Sequence, residues 1–202
     1  MSTPIPSAPP PLIVMALPDE SRGLLEKAGA RVLYTGVGKV NAAAALARRL
    51  AELRAANATP PLVVNLGTAG SRAIAAHTLV ECDRFVQRDM DVSGLGFPVG
   101  VTPFDEAPAM LEVAPLFPHM RRGVCSTADS FATHRHDVGG DVVDMEAFAL
   151  ARVCRADGVR FACVKYVTDG ADADSAAHWQ SALDAASRAF VSLYSTLVNR
   201  PE

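Results

Sequence analysis

Short apolar runs alternate with longer alanine-rich stretches along most of the chain. The runs are bounded by Gly, Pro or a charged residue, and this pattern predicts buried β-strands. They cover residues 11–16, 31–35, 62–66, 77–87, 122–127 and 160–168. Strands that alternate with helices usually form a parallel sheet with both faces covered, so the pattern predicts an α/β fold.

The alanine-rich stretches have the periodicity of amphipathic helices. In residues 41–56, Leu46 and Leu50 fall on one helical face, away from the charged side chains. Two further helices are predicted over residues 145–156 and 176–198, and the apolar positions of the second recur at spacings of three, four and seven. Helices on both sides of the strands predict a three-layer α/β/α architecture with a central mixed, largely parallel β-sheet.

The punctuation of the chain predicts one domain with a tail and a long loop. Residues 1–10 are rich in Pro and Ser and predict a disordered tail, so that the domain spans residues 11–202. Residues 89–118 contain many Gly and Pro residues and few periodic apolar positions, which predicts a loop. Loops of this length are usually functional or disordered, so we expect a wall of a binding site or an oligomer contact here.

Composition and charge exclude several classes of function. Half of the 202 residues are hydrophobic and 20% are charged, a balance that excludes wholesale disorder. The formal net charge of -3 and the absence of a basic run argue against nucleic-acid binding. No apolar stretch approaches the ~20 residues that span a bilayer, so no membrane role is expected.

Cysteine and histidine usage predicts neither a metal site nor a disulfide framework. The four cysteines form no CxxC pair, and two of them lie in apolar runs. We expect these thiols to be buried and reduced, which points to the cytoplasm. Residues 1–10 do not have the pattern of a secretory signal, in agreement with that location. No metal and no cofactor are predicted.

Two glycine-rich segments follow predicted strands. The first, Gly36-Val37-Gly38-Lys39, fails as a phosphate-binding P-loop because Leu33 and Val40 stand where that motif needs Gly and Ser or Thr. The second, residues 65–71, predicts a turn. Both turns lie where ligands bind in open α/β sheets, outside the carboxyl ends of the strands.

Acidic residues stand at three junctions between predicted elements. Glu20 follows the first strand, Asp144 and Glu146 stand at the start of a predicted helix, and Asp169 follows the last strand. Each alone fits a partner for a helix dipole. If the strands are parallel neighbours, these carboxylates meet at one edge, where two of them can divide into an acid and a base.

Five segments occur in the order seen in the nucleoside phosphorylase and nucleosidase superfamily, and the chain most resembles its 5′-methylthioadenosine and S-adenosylhomocysteine nucleosidases. The segments are residues 16–20 (ALPDE), 35–43 (TGVGKVNAA), 65–70 (NLGTAG), 143–147 (VDMEA) and 167–172 (VTDGAD). The resemblance extends from about residue 12 to the C-terminal helix. The resemblance implies the superfamily fold and cleavage of an N-glycosidic bond in a purine nucleoside.

The resemblance also implies roles for individual residues. Glu20 matches the acid that activates the attacking water, and Asp169 matches the acid at the purine. Met145 and Glu146 match the pair that packs under the ribose and binds its hydroxyls. The remaining substrate-binding residues that it implies, with Phe131 as the aromatic that stacks on the base, are Thr68, Ala69, Gly70, Phe131, Asp144 and Thr168. Residues 89–92 match a segment of a dimer interface, which implies a homodimer.

The sequence departs from the family in two places. The segment 21–35 is shorter than usual, which implies a smaller N-terminal half of the sheet. Lys165 stands where the nucleosidases usually have arginine, and because Lys lacks the planar guanidinium fork, different tuning of Asp169 is expected.

Three functions remain open at this point. The first is a nucleosidase that hydrolyses a nucleoside such as 5′-methylthioadenosine or S-adenosylhomocysteine and releases adenine, with a futalosine-type hydrolase as a close variant. The second is a purine nucleoside phosphorylase, which needs an anion site rich in Arg or backbone amides. The third is a non-catalytic nucleoside binder or a structural protein that has kept the fold.

Overall fold

The apolar runs fold as strands of one mixed sheet in the computed structural model, which describes residues 9–130, 139–170 and 175–199. The strands within those residues are β1 Leu12–Met15, β2 Arg31–Tyr34, β3 Val63–Gly70, β4 Leu79–Gln87, β5 Met110–Glu112, β6 Arg121–Thr127, β7 Val142–Asp144 and β8 Phe161–Asp169. The α-helices are α1 Pro18–Ser21, α2 Leu24–Lys27, α3 Lys39–Ala55, α4 Ala147–Asp157 and α5 Ser175–Val198.

All six predicted strands and all three predicted helices are confirmed, with ends displaced by one or two residues in most cases. The exception is β3, which was expected to stop at Leu66 and to be followed by a turn. Instead β3 continues to Gly70, because residues 66–70 keep pairing with β8. The predicted turn at residues 65–71 is therefore wrong. The additional elements β5, β7, α1 and α2 have three or four residues each, too few to show a period.

Strand pairing makes the sheet mixed but largely parallel, as predicted. β1 pairs in parallel with β2 and β3, and β3 pairs in parallel with β8. β4 is antiparallel to β8 and to β5 but parallel to β6, which is parallel to β7. β7 then meets β3 through Gly70 and Val143. These pairings join β3, β8, β4, β6 and β7 into a closed ring.

Two irregularities allow the ring to close. The register between β4 and β6 shifts between Cys82 and Arg84, and the register between β3 and β8 shifts between Ala69 and Gly70. An extra residue in one strand bends that strand and increases its twist. As a result, the carboxyl ends of β3, β4, β6, β7 and β8 approach one region of the molecule.

Helices cover both faces of the sheet, which confirms the three-layer architecture. On one face, α3 and α4 bury side chains such as Leu46, Leu50 and Leu150 against the strands. On the other face, α5 buries Leu183 and Phe190 beside β3 and β8. The central sheet is thus buried on both sides, in agreement with the continuous apolar character of its inner strands.

The segment 89–118 is mostly irregular, as predicted, but it is not entirely a loop. It contains a 3₁₀ turn at Ser93–Leu95 and the short strand β5, which extends the edge of the sheet beside β4. Residues 1–8 lie outside the described residues, so the predicted tail stays a prediction. No helix in the described part of the chain is long and apolar enough to cross a bilayer.

Phe190→Ala tests how much α5 contributes to stability. The side chain of Phe190 is fully buried, and its ring packs edge-on against Tyr166 with centroids 6.4 Å apart. Truncation should lower the free energy of unfolding by about 3–5 kcal/mol, since it removes apolar contacts and leaves a cavity. Urea unfolding measures the change. Val198→Ala in the same helix is the control, because Val198 is 45% exposed. Equal effects of the two variants would contradict this account.

Candidate active site

A cavity of about 240 Å³ opens at the carboxyl ends of the strands. Of the ten site residues predicted from the sequence, nine line it, and Phe131 lies outside the described residues. The nine are Glu20, Thr68, Ala69, Gly70, Asp144, Met145, Glu146, Thr168 and Asp169. The expectation that the three acidic segments meet at one edge of the sheet is therefore confirmed.

Glu20 is held by the short turn that follows β1 and by the end of β3. Pro18 starts α1 with a φ suited to the first helical position, and Glu20 Oε2 accepts a hydrogen bond from Leu17 N at 3.3 Å. Glu20 Oε1 accepts from Thr68 N at 2.8 Å and from the Thr68 hydroxyl at 2.9 Å. The residue is only 4% exposed. These contacts fix it against the cavity wall.

Trp179 lines the cavity from α5, and sequence reasoning missed it. Its indole Nε1 donates to Thr68 Oγ1 at 2.9 Å, so the Thr68 hydroxyl accepts from Trp179 while it donates to Glu20. Trp179 is the only tryptophan of the chain, and it lies shortly after the last predicted strand. That position was the available signal, but contact with Thr68 depends on the packing of α5 across β3.

The parallel pairing of β3 with β8 places Thr168 and Asp169 beside the end of β3. Gly70 is the register partner of Asp169, just beyond the register shift at which Thr168 is the extra residue in β8. The Thr168 hydroxyl donates to Asp169 Oδ2 at 2.7 Å and lies 3.4 Å from Ala69 O. Both residues are buried. Asp169 thus lines the cavity from the end of β8, whereas Glu20 lines it from α1.

Asp144 ends β7 and caps the following helix. Its Oδ2 accepts hydrogen bonds from Glu146 N at 3.2 Å and Ala147 N at 2.8 Å, and its Oδ1 accepts from the Thr127 hydroxyl at 2.5 Å. These bonds satisfy amides at the start of α4 that would otherwise lack partners. The simple interpretation of an acid at a helix start therefore holds for Asp144.

Glu146 behaves differently, because its side chain bonds to another element. Its Oε1 accepts from Gly38 N, 2.8 Å away at the start of α3. Gly38 has φ of +96°, and a Cβ there would lie 3.1 Å from Asp129 Oδ1, so the position needs glycine. Burial and the Asp144 carboxylate raise the pKa of Glu146 to about 7, although the Lys165 ammonium and the Gly38 amide act in the opposite direction.

Lys165 pairs with Asp144 beneath the cavity. Its Nζ lies 2.9 Å from Asp144 Oδ2, and both side chains are almost fully buried. Burial opposes both charges, but their attraction prevails: the pKa of Asp144 lies below its usual value and that of Lys165 well above. The ammonium thus forms its ion pair with Asp144, and the expected difference in the tuning of Asp169 stays a prediction.

Arg88 closes another part of the wall by binding main-chain carbonyls. Its Nη1 donates to Ser126 O at 2.6 Å and Asp144 O at 3.2 Å, and its Nη2 donates to Ser130 O at 2.7 Å. Desolvation lowers the pKa of the guanidinium. Its donors therefore tie β6 and β7 to the segment after β6. Within the described residues, no group of three or more His, Cys, Asp or Glu side chains is placed to hold a metal ion.

The raised pKa of Glu146 predicts a specific pH dependence of stability. Since the folded pKa, about 7, lies above the ordinary 4.5, the protonated side chain favours folding. This contribution is complete below the unfolded value and is lost as the pH rises through the folded one. From about pH 5 to 8 the wild type should lose up to a few kcal/mol of unfolding free energy relative to Glu146→Gln. Urea titrations at each pH measure this difference, and a constant difference would refute it.

Comparisons with known proteins identify the family of the chain. The family profile of the phosphorylase superfamily matches residues 19–199. A 5′-methylthioadenosine/S-adenosylhomocysteine nucleosidase from Geobacillus thermodenitrificans is 30% identical over 197 residues, which cover 87% of this chain and 81% of that protein. The nucleosidase of the same name from Haemophilus influenzae is 29% identical, over a match that covers 84% of this chain and 80% of that protein.

Solved structures give the same fold at lower identity. The Helicobacter pylori 5′-methylthioadenosine/S-adenosylhomocysteine nucleosidase with butyl-thio-DADMe-Immucillin-A superposes with a TM-score of 0.80 at 19% identity, covering 96% of this chain and 99% of that one. A futalosine hydrolase mutant from the same organism also gives 0.80 at 19% identity, covering 94% and 98%. On the profile match and the 30% identity, the chain belongs to the phosphorylase superfamily and is related within it to the 5′-methylthioadenosine/S-adenosylhomocysteine nucleosidases.

Proposed function

We propose that the protein is a nucleosidase that hydrolyses the N-glycosidic bond of a purine nucleoside such as 5′-methylthioadenosine or S-adenosylhomocysteine. The observation that carries this proposal is the convergence of Glu20, Glu146 and Asp169 on one cavity. The similarity to 5′-methylthioadenosine/S-adenosylhomocysteine nucleosidases supports this class of substrate. The products would be adenine and the free 5′-substituted sugar, with no metal or cofactor required.

Bond cleavage makes two electrostatic demands on the cavity. The ribosyl group becomes positively charged in the transition state, while the departing purine gains electron density and needs a proton. Asp169 would donate that proton to the purine, and the bond electrons would leave with the base. The Thr168 hydroxyl, which donates to Asp169 Oδ2, would orient the acid so that its other oxygen faces the base.

Water completes the reaction at the sugar. Glu20 would accept a proton from water as the water oxygen bonds to the anomeric carbon, which general-base catalysis requires. The donors from Leu17 N and Thr68 hold the Glu20 carboxylate in one orientation and leave lone pairs for the water. Orientation of this kind lowers the entropic part of the barrier.

The ribose would lie against the start of α4. Met145 would pack under the sugar ring, and Glu146 would accept hydrogen bonds from the sugar hydroxyls and place negative charge near the developing cation. Glu146 must be ionised for both tasks. Asp144 would act from below by holding the Glu146 amide. Thr68, Ala69 and Gly70 would form the wall at ribose and base, and Phe131 remains proposed as the stacking aromatic.

Cation placement favours hydrolysis over phosphorolysis. Among the described residues that line the cavity, Arg88 is the only Arg or Lys, and both of its Nη atoms donate to main-chain carbonyls. Arg22, the arginine near the first turn, forms an ion pair with Asp184 at 2.9 Å instead. Phosphate as nucleophile needs convergent cationic donors. The described wall therefore suits water better than phosphate.

Glu20→Gln and Asp169→Asn test the catalytic assignment. Each substitution keeps the side-chain shape and removes the proton transfer, so kcat should fall by about 10²–10⁴-fold. Chromatography should measure base release from 5′-methylthioadenosine, S-adenosylhomocysteine, adenosine, inosine and futalosine-type nucleosides, with and without phosphate. Base and free sugar without phosphate are expected.

The matched controls are Glu112→Gln and Asp19→Asn, because both acids are exposed. Their kcat values should equal that of the wild type. Strict dependence on phosphate, with sugar 1-phosphate as product, would replace the proposal with a phosphorylase. Nucleoside affinity without turnover in the wild type would identify a non-catalytic binder.

We also propose a cytoplasmic homodimer whose interface covers the mouth of the cavity. Apolar side chains at the start of α3 and in the segment after β4 are exposed: Val40 at 77%, Leu95 at 76% and Phe104 at 96%. Lys39 Nζ donates to Asp89 Oδ1 at 2.6 Å, which brings these two segments together. The buried, free state of all four cysteines supports a reducing compartment.

Phe104→Asp tests the proposed interface. Burying a charge in an apolar contact is costly, so light scattering after size exclusion should show a dimer for the wild type and a monomer for the variant. Val198→Asp, on an exposed site of α5, should remain dimeric. A monomeric wild type, or a dimeric Phe104→Asp variant, would refute this interface.

A further inference from the structure

A buried ammonium lies among the carboxylates of the cavity. Lys165 is in the middle of β8, and the residue is only 1% exposed. Burying a lone ammonium costs several kcal/mol, so Lys165 needs an opposite charge beside it. Its Nζ forms the 2.9 Å ion pair with Asp144, yet Lys165 does not line the cavity itself.

Gly67 makes room for this arrangement between β3 and β8. A Cβ on Gly67 would lie 3.2 Å from Lys165 Nζ and 3.4 Å from Glu20 Oε1. The ammonium and the Glu20 carboxylate therefore border the same small space, which any larger residue would fill. Gly67 is the register partner of Lys165, so the strand pairing itself sets this approach.

We infer that Lys165 is a positioning residue for the proposed reaction, acting as the shared buried countercharge that holds Asp144 in place and favours the ionised form of the Glu146 carboxylate. The inference rests on the proposed function and deepens it. Nothing in the reaction requires Lys165 to touch the substrate. Its action passes through Asp144, which binds the amide of Glu146, and through the electric field at Glu146.

The charges around Glu146 come from several elements, and they act in opposite directions. Asp144 from β7 and Glu20 from α1 raise its pKa, whereas Lys165 from β8 and the Gly38 amide from α3 lower it. Arg88, which directly follows β4, donates to Asp144 O. Lys165 is the only buried Lys side chain among the described residues. Without it, two neighbouring carboxylates would disfavour ionisation of Glu146.

A double-mutant cycle, made of Lys165→Met, Asp144→Asn and the variant that combines them, tests the inference. The readout is the pH profile of kcat/KM for 5′-methylthioadenosine, or for whichever nucleoside the wild type cleaves. The acid limb should move up by about one pH unit in Lys165→Met and down in Asp144→Asn. It should return towards the wild-type position in the double variant, because both opposing charges are gone. Lys165→Arg should keep the limb in place.

Lys27→Met is the control for loss of a lysine, because Lys27 is exposed on α2. It should leave the profile unchanged. If Lys165→Met does not fold, the limb of the double variant relative to Asp144→Asn still decides, and it should lie at the higher pH. A limb that stays fixed in every folded variant would overturn the inference, and so would a double variant that keeps the limb of either single variant.

The cycle also separates this inference from the proposed function. A wild type that cleaves none of the nucleosides would refute the proposed function, whatever the variants do. A wild type that cleaves a nucleoside, together with an unmoved acid limb, would refute only the role of Lys165. Thermal unfolding of each variant reports stability separately, so a purely structural contribution of the ion pair appears there and not in the pH profile.

Discussion

The parallel pairing of β3 with β8 is the contact on which the candidate site depends. Since both strands run in the same direction, their carboxyl ends deliver Thr68 and Asp169 to one edge of the sheet. A slip of one residue would turn every side chain of a strand to the opposite face. The buried apolar residues that fix this register therefore also fix the position of the proposed acid relative to Glu20.

The same pairing imposes an electrostatic constraint. Four acids face the cavity, and their burial must be offset by donors within the protein. Backbone amides supply part of this, from Thr68 to Glu20, from Gly38 to Glu146 and from Ala147 to Asp144. Lys165 supplies the one buried ion pair of the described site. Small residues such as Gly38 and Gly67 let these donors approach.

The sequence predicted most of the fold, because long periodic segments leave clear patterns. It failed where tertiary pairing overrides local preference: residues 67–70 are small and typical of a turn, yet they extend β3 because β8 offers partners. It also failed for contacts between distant segments. Nothing local to Trp179 or Lys165 indicates that one bonds Thr68 and the other pairs with Asp144. The acids were found because each follows a predicted strand or opens the helix beyond it.

The start of α3 links the cavity to the proposed interface. Gly38 N donates to the Glu146 carboxylate, and Val37 lines the cavity. Val40, two residues after Gly38, is 77% exposed. Lys39 ties this turn to Asp89 in the segment after β4. A partner subunit on the proposed face would thus press on the turn that orients Glu146. Because Gly38 N donates to the Glu146 carboxylate, a displacement of this turn would act on Glu146, whereas Glu20 is held separately by Thr68 of β3.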